Sequence, residues 1–340
     1  MKILIIGGTG LISTAITNQL HERGADLTLY NRGRTQARIP PGVKILHGDR
    51  RNYAEFEKQM QEAGPFDCVI DMVGFIPEDA ESVIRAFRGR IEQFIFCSTV
   101  CVYGGPATRY PIREDEPRRP VTGYGANKAK CEDILLEAGQ RGDFAVTIMR
   151  PSQTYGEGGT IVHSLGWRTT YIDRMRKGKP IIVHGDGSCL WAACHISDVA
   201  KGFIGAIGNP LAYGRCYNVT GEEWMTWNRY HEGVAEALGV PLPRLVHIPA
   251  DVMAQIAPKR FSISIEIFQY PSIFDNRAAQ ADLGFEYTIP WVEGVKRTVA
   301  WLDAHGKIEN SDEDPFDDRV IEAWERHGKM LAEELAALDA

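Results

Sequence analysis

Residues 1–20 read MKILIIGGTGLISTAITNQL, and the order of their parts decides the fold. Ile3 to Ile6 form a short continuous apolar run of strand length, as in a strand buried on both faces. Gly7-Gly8-Thr9-Gly10 follows, and Leu11 to Leu20 has the spacing of a helix. Strand, glycine turn and helix in that order is the context that a dinucleotide-binding turn requires. The glycines let the backbone turn sharply and approach a pyrophosphate, and the helix start adds unpaired N–H groups and a positive dipole end. Ser13 stands where a third small residue is needed and places a hydroxymethyl between helix and strand.

Outward from that turn, strand and helix signals alternate, which predicts an α/β fold with a parallel sheet covered on both faces. Strands are expected at Asp26–Tyr30, Val43–His47, Cys68–Met72, Phe94–Cys97 and Ala145–Met149, with helices at Tyr53–Ala63, Glu78–Phe87 and Tyr124–Ala138. Beyond Pro151 the alternation loosens, as in a smaller second domain. There Thr226 and Gly239 suit the two caps of a helix over Trp227–Leu238. Phe261–Phe268 alternates like a half-buried strand, and Trp291–Leu302 reads as a helix. Ser311–Asp318 is acidic, and Val320, Trp324, Leu331, Leu335 and Leu338 then recur at roughly helical spacing.

At 340 residues, 44% hydrophobic and 24% charged, the chain suits one large or two unequal globular domains. The net charge of −7 argues against nucleic acid as a partner. Seven cysteines without a CxxC pair read as reduced thiols packed as small hydrophobes. No apolar run approaches membrane-span length. Met1 leads directly into a core strand, so a cytoplasmic protein is expected. The nine histidines show no ligand spacing, and no metal site is expected.

The reactive stretch is expected at Tyr124-Gly125-Ala126-Asn127-Lys128. Tyr and Lys four apart at a helix start share one face. A nearby ammonium favours the phenolate and lowers a phenol from its ordinary ~10. A phenol tuned in this way exchanges a proton with a substrate hydroxyl while a nicotinamide takes the hydride. Thr99, at the end of the fifth strand, supplies a hydroxyl to orient the same oxygen.

With these pieces in place the chain resembles the extended short-chain dehydrogenase/reductases of the NAD-dependent epimerase/dehydratase group. The matching stretches are GGTGLIS at 7–13, HGD at 47–49, STVCVYG at 98–104, YGANK at 124–128 and RPSQTYGEG at 150–158, then GDGS at 185–188, HISDVA at 195–200, YNVTG at 217–221 and LGF at 283–285. The resemblance covers about residues 1–302 and implies a doubly wound Rossmann sheet with a second, smaller α/β substrate domain. It implies Thr99, Tyr124 and Lys128 as the catalytic set. It places Gly7, Thr9, Gly10, Leu11 and Ile12 at the pyrophosphate, Asp49 and Arg50 at the adenine, Met72 and Gly74 at the nicotinamide ribose, and Pro151 and Ser152 at the carboxamide. It also implies interleaved domains. Residues 1–150 with about 195–221 form the Rossmann domain, and 151–194 with 222–308 form the substrate domain. Residues 309–340 add an acidic segment and an amphipathic helix.

Three departures from the group narrow the reading. The second strand ends at Asn31, followed by Arg32 and Arg34, where NAD-binding members carry an Asp for the ribose hydroxyl. A missing carboxylate beside guanidinium groups favours a 2′-phosphate, so NADP is preferred and NAD remains open. Val100 and Cys101 replace the acidic pair with which the group's 4,6-dehydratases eliminate water. Trp191 and Ala192 stand where GDGSxxRD sequences carry Arg and Asp, which weakens the case for a diphosphate substrate. Trp191 has two open roles, stacking on a sugar face or plain packing. Tyr103, Gln153 and His163 are further substrate-side candidates, and Glu157 with His163 reads more readily as supporting structure.

The reading is an NAD(P)-dependent epimerase or dehydrogenase/reductase acting on a sugar or sugar derivative. The alternative is a non-catalytic dinucleotide-binding or RNA-associated member of the same fold. A homodimer through the Glu78–Phe87 and Tyr124–Ala138 helices is expected partly from relatives. The other part is the apolar surface of Ala129, Ile134, Leu135 and Ala138.

Overall fold

A computed structural model describes residues 1–34 and 38–338. Strand β1 (Lys2–Ile6) lies inside a seven-stranded sheet. Its Ile3 and Ile5 enter one core and its Leu4 and Ile6 the other, so all four positions must be apolar. β2 (Asp26–Asn31) and β3 (Lys44–His47) extend the sheet on one side. β4 (Cys68–Asp71), β5 (Gln93–Cys97), β6 (Ala145–Pro151) and the strand Arg215–Val219 extend it on the other. Every pairing in this sheet is parallel. The winding reverses between β1 and β4, and such a switch opens a crevice at the carboxyl ends of the strands. Ile6 is level with both Tyr30 and Asp71, so Gly7 and Met72 leave the sheet along the edge at which Asn31 ends β2.

Helix α1 (Leu11–Glu22) and the helix Ile196–Ala206 cover the face of Ile3 and Ile5. Gln19 Nε2 ties them by donating to the Ser197 carbonyl at 2.8 Å. Helices α2 (Tyr53–Ala63), α3 (Pro77–Phe87) and α4 (Gly123–Gln140) cover the other face. Fully buried rings there, such as Phe56, Phe87 and Phe94, each contribute roughly 1.5–3 kcal/mol. Leu135 and Ala138, expected at a partner surface, are consumed by this core. Ile134 stays half-buried.

The chain forms two compact units. One comprises residues 1–156, 192–223 and 273–290, and the other comprises 157–191, 224–272 and 291–340. Residues 273–290 therefore leave the substrate domain in which the sequence reading put them. Their anchors explain why: Ile112 N–H donates to the Ile273 carbonyl at 2.9 Å, and the Tyr217 hydroxyl donates to Asp282 at 2.9 Å.

In the second unit Thr226 caps its helix by accepting from Arg229 N–H at 3.1 Å, and Gly239 ends it at φ 68°. Within Phe261–Phe268, residues 262–268 are helical, not a strand, and end in a π turn over Ser264–Phe268. The buried positions are Phe261, Ser264 and Phe268, a helical spacing hidden by the alternating pattern. The tail helix Phe316–Leu335 inserts Ile321 beside Ile182, Val246 and Phe261. Its later apolar residues Leu331 and Leu335, and Leu338 beyond it, remain exposed. No helix among the described residues is long and apolar enough to cross a membrane.

Candidate active site

The turn after β1 is built as its sequence requires. Gly7 has φ +83°, and a Cβ there would lie 2.4 Å from Val73 Cγ1. Ser13 takes a part that the glycine reading did not foresee. Its hydroxyl donates to the Gly7 carbonyl at 2.7 Å and accepts from Gly10 N–H at 2.8 Å. The Gly10 amide, expected at a pyrophosphate, is thus held by the turn itself. Leu11 and Ile12 fill the first helical positions, whose N–H groups have no acceptor within the helix.

This turn opens on a cleft of about 360 Å³ along the sheet edge. Of the expected cofactor residues, Gly7, Thr9, Gly10, Asn31, Arg32, Arg34, Asp49 and Arg50 line it. Leu11, Ile12, Met72, Gly74, Tyr124, Lys128, Pro151 and Ser152 do not, although Val73 and Phe75 from the same loop as Met72 and Gly74 do. Tyr30, also unforeseen, lines the cleft with a phenol that burial pushes up to about 12. The position of Tyr30 at the end of β2 was the available signal.

Two polar side chains divide the labour at β2. Asn31 Oδ1 accepts from Gly33 N–H at 2.9 Å, so the side chain shapes the loop. Arg32 and Arg34 are exposed on the cleft wall. Arg50 is not free to read an adenine. It is 6% exposed, its Nη1 donates to Asp71 at 2.6 Å, and its Nη2 donates to the Asp79 carbonyl at 2.8 Å. Asp71 in turn accepts from Val73 N–H at 2.9 Å, so the pair braces the loop after β4. A carboxylate closing an otherwise apolar strand was its signature in the sequence.

The set Thr99, Tyr124 and Lys128 assembles where β5 ends and α4 begins. Thr122 starts the helix by accepting from Gly125 N–H at 3.0 Å. A Cβ at Gly125 would stand 2.4 Å from the Cys101 carbonyl, so only glycine lets α4 press on the loop after Thr99. The Thr99 hydroxyl lies by the Tyr124 phenol and favours its ionised form, while itself accepting from Cys101 N–H at 3.2 Å. Tyr124 is 46% exposed beside the half-open Phe75 ring, whereas Thr99 is buried.

Lys128 is buried, and its Nζ donates to the Cys97 carbonyl at 2.5 Å. It sits 4.7 Å from the Phe96 ring centre and 5.9 Å from that of Tyr124. Burial pulls its pKa down. The expected lowering of the phenol is not found. Desolvation pushes Tyr124 above its ordinary value, the Cys97 and Cys101 thiols add to that, and the Thr99 hydroxyl opposes it.

The substrate-side candidates fall elsewhere. The Tyr103 hydroxyl accepts from Arg150 at 2.9 Å and donates to Asn218 at 2.8 Å, both inside the core. Gln153 donates to the neighbouring Thr154 carbonyl at 3.2 Å on a short parallel strand. In the second unit His163 is stacked on Tyr171 at 4.8 Å, with burial driving its pKa down to about 3. Trp191 is buried between Trp227 and Phe268 at 4.9 and 4.8 Å, which meets its packing role.

A family model described as the NAD dependent epimerase/dehydratase family matches residues 3–220. Among curated proteins, the chain is 30% identical over 259 residues to a chloroplast stem-loop binding protein of 41 kDa from Arabidopsis thaliana, covering 72% of this chain. The chain spans 65% of that relative's length. It is 24% identical over 255 residues to a 2'-dehydrokanamycin reductase from Streptomyces kanamyceticus, covering 75% of this chain and 71% of that one. Among solved structures, a UDP-glucose 4-epimerase from Bifidobacterium longum in complex with NAD+ and UDP superposes with a TM-score of 0.70. It is 20% identical, over 91% of this chain and all of that one.

Proposed function

Because this chain belongs to the NAD dependent epimerase/dehydratase family, we propose that it binds NAD(P) along the sheet edge and oxidises or reduces a sugar-type carbinol carbon. The observation that carries this reading is the half-exposed Tyr124 phenol at the start of α4, with the buried Lys128 ammonium 5.9 Å from its ring and anchored on the strand end that leads to Thr99. The cleft suits the adenosine and phosphate end of a dinucleotide: the glycine turn Gly7–Gly10 forms one wall and the Arg32 and Arg34 guanidinium groups another. The bound nicotinamide supplies the hydride chemistry. This chain's residues hold the oxygen and move its proton.

Thr99 orients the substrate oxygen, and Tyr124 exchanges a proton with it. With its phenol raised, Tyr124 rests protonated, ready to donate to a keto oxygen. The reductive direction uses that proton, and in the oxidative direction the phenolate takes one from the substrate hydroxyl. Lys128, anchored on the Cys97 carbonyl, supplies a cation that favours the phenolate once formed. Epimerisation and net reduction need the same three residues, so both belong to the proposal.

NADP is the proposed preference, resting on Asn31 in place of a carboxylate and on Arg32 and Arg34 at the cleft wall. The UDP-glucose 4-epimerase of Bifidobacterium longum carries NAD+, so NAD is the control nucleotide. A homodimer through α3 and α4 remains part of the proposal, tested by light scattering of the full chain.

The experiment incubates the protein with NAD or NADP and UDP-glucose, UDP-galactose or UDP-glucuronic acid, following absorbance at 340 nm and the sugar signals by NMR. Nucleotide reduction or sugar inversion is expected. Absence of both, together with absence of nucleotide binding, contradicts the reading.

The identity to a stem-loop binding protein favours a second reading, RNA binding without turnover. The net charge of −7 opposes it. A gel shift with stem-loop RNA at physiological salt separates the two.

A further inference from the structure

Two turns beyond Tyr124 on α4, Glu132 is completely buried. Arg150, itself 3% exposed at the end of β6, grips it with both arms. Nε donates to Oε1 at 2.9 Å and Nη2 to Oε2 at 2.6 Å. Arg118 adds a donor at 3.1 Å. The remaining contact goes to the catalytic side: Ser98 Oγ donates to Glu132 Oε1 at 2.5 Å.

Ser98 is the peptide between the two groups that hold the reactive pair. Before it, the Cys97 carbonyl receives Lys128 Nζ, and after it comes Thr99, whose hydroxyl favours the ionised Tyr124 phenol. The Ser98 N–H is fixed to the Met149 carbonyl at 2.7 Å, and its side chain fixes the rotation that remains. Arg150 continues outward to the Tyr103 hydroxyl and the Glu114 carbonyl, so α4, β5 and β6 meet at one carboxylate. Buried ion pairs are weak devices for stability, because apolar side chains of the same volume do as well. Their fixed bidentate geometry is better suited to setting an orientation.

We propose that the Glu132–Arg150 pair is a positioning element, which acts through Ser98 to set Cys97 and Thr99 against Lys128 and Tyr124. The proposal rests on the reading of Tyr124 as the acid–base group. It gives both ion-pair residues a role that no catalytic motif assigns them.

Ser98→Ala tests it, since it cuts the link without removing a charge or disturbing the pair. Tyr124 is replaced by 3,5-difluorotyrosine in the full chain, which brings the phenol's ionisation into reach of a fluorine NMR titration. The groups facing it are Thr99, Cys97, Cys101 and Lys128. Loosening the strand end moves the Cys97 anchor of Lys128 and the Thr99 hydroxyl, the two groups that favour the phenolate, so Ser98→Ala is expected to titrate about half a pH unit higher or more. Glu132→Gln is expected to shift the same way, and if it does not fold, Ser98→Ala decides alone. Ser82→Ala is the control, a buried serine bonded to Glu57 at 2.8 Å on α3. It should melt lower without moving Tyr124. A titration in Ser98→Ala equal to the parent's, or a shift no larger than the control's, overturns the proposal. Full turnover in Tyr124→Phe would instead remove the catalytic reading on which it rests.

Discussion

The end of β5 and the aromatic cluster of the second unit are built from the same residue types, yet only one is open to chemistry. In the cluster, Trp227 touches Phe268 at 4.7 Å, Trp191 at 4.9 Å and His184 at 4.8 Å. Its histidines are buried and each is bonded through at least one ring nitrogen. His184 meets the Ser164 hydroxyl and the Phe268 carbonyl at 3.0 Å each, and His231 meets the Tyr171 hydroxyl at 2.6 Å. At β5 the ammonium and the hydroxyl are just as buried, but the phenol they serve is nearly half exposed. Aromatic, histidine and tyrosine residues therefore mark a site only where one polar atom is left reachable.

The largest expected effect belongs to the cluster. Trp227→Ala should cost about 3–5 kcal/mol of stability and leave nucleotide affinity unchanged, as read by denaturant unfolding and nucleotide titration. A loss of nucleotide binding in folded protein would erase the contrast between the two regions.

Acid should act on the same cluster. Burial holds His163 at about 3 and His184 at about 4, below the ~6.5 of an unfolded chain, so the unfolded state takes up the protons first. Their share of stability is complete above about pH 6.5. It falls by roughly 1.4 kcal/mol per ring for each pH unit lost towards those values. Unfolding curves between pH 7 and 5 test this, and His184→Gln should flatten the slope.

On the cleft, Arg32→Ala should weaken NADP by roughly 1.5–3 kcal/mol and leave NAD unaffected. Equal affinities for both nucleotides in the parent would show that Arg32 and Arg34 only face solvent. The smallest effect is expected from Ser13→Ala, which removes two hydrogen bonds from the turn. It should lower stability by about 1 kcal/mol in denaturant unfolding, and an unchanged midpoint would leave Ser13 without the part drawn from its geometry.

The same contrast explains what was legible in the sequence. Local signals reached far: the apolar run at Ile3–Ile6 and the glycine turn identified the sheet and the cleft edge, and the Tyr124–Lys128 spacing pointed to the helix proposed to carry the chemistry. Contacts between residues distant in the chain were out of reach. Nothing near Arg50 announces that Asp71 and Asp79 hold it, and nothing near Lys128 announces that a carbonyl at Cys97 will. The phenol's upward shift escaped for the same reason, because it is set by burial beside Phe75 and by the Cys97 and Cys101 thiols. Phe261–Phe268 misled because a buried Ser264, donating to the Ser164 carbonyl at 2.7 Å, passes for a polar surface position.

The central claim is that Tyr124 moves the substrate proton, and single-turnover nucleotide reduction with the active sugar nucleotide tests it most directly. Tyr124→Phe should bind nucleotide as the parent does while its rate falls by about 10² or more, the loss expected for a general acid–base. A rate within a fewfold of the parent's would contradict the account.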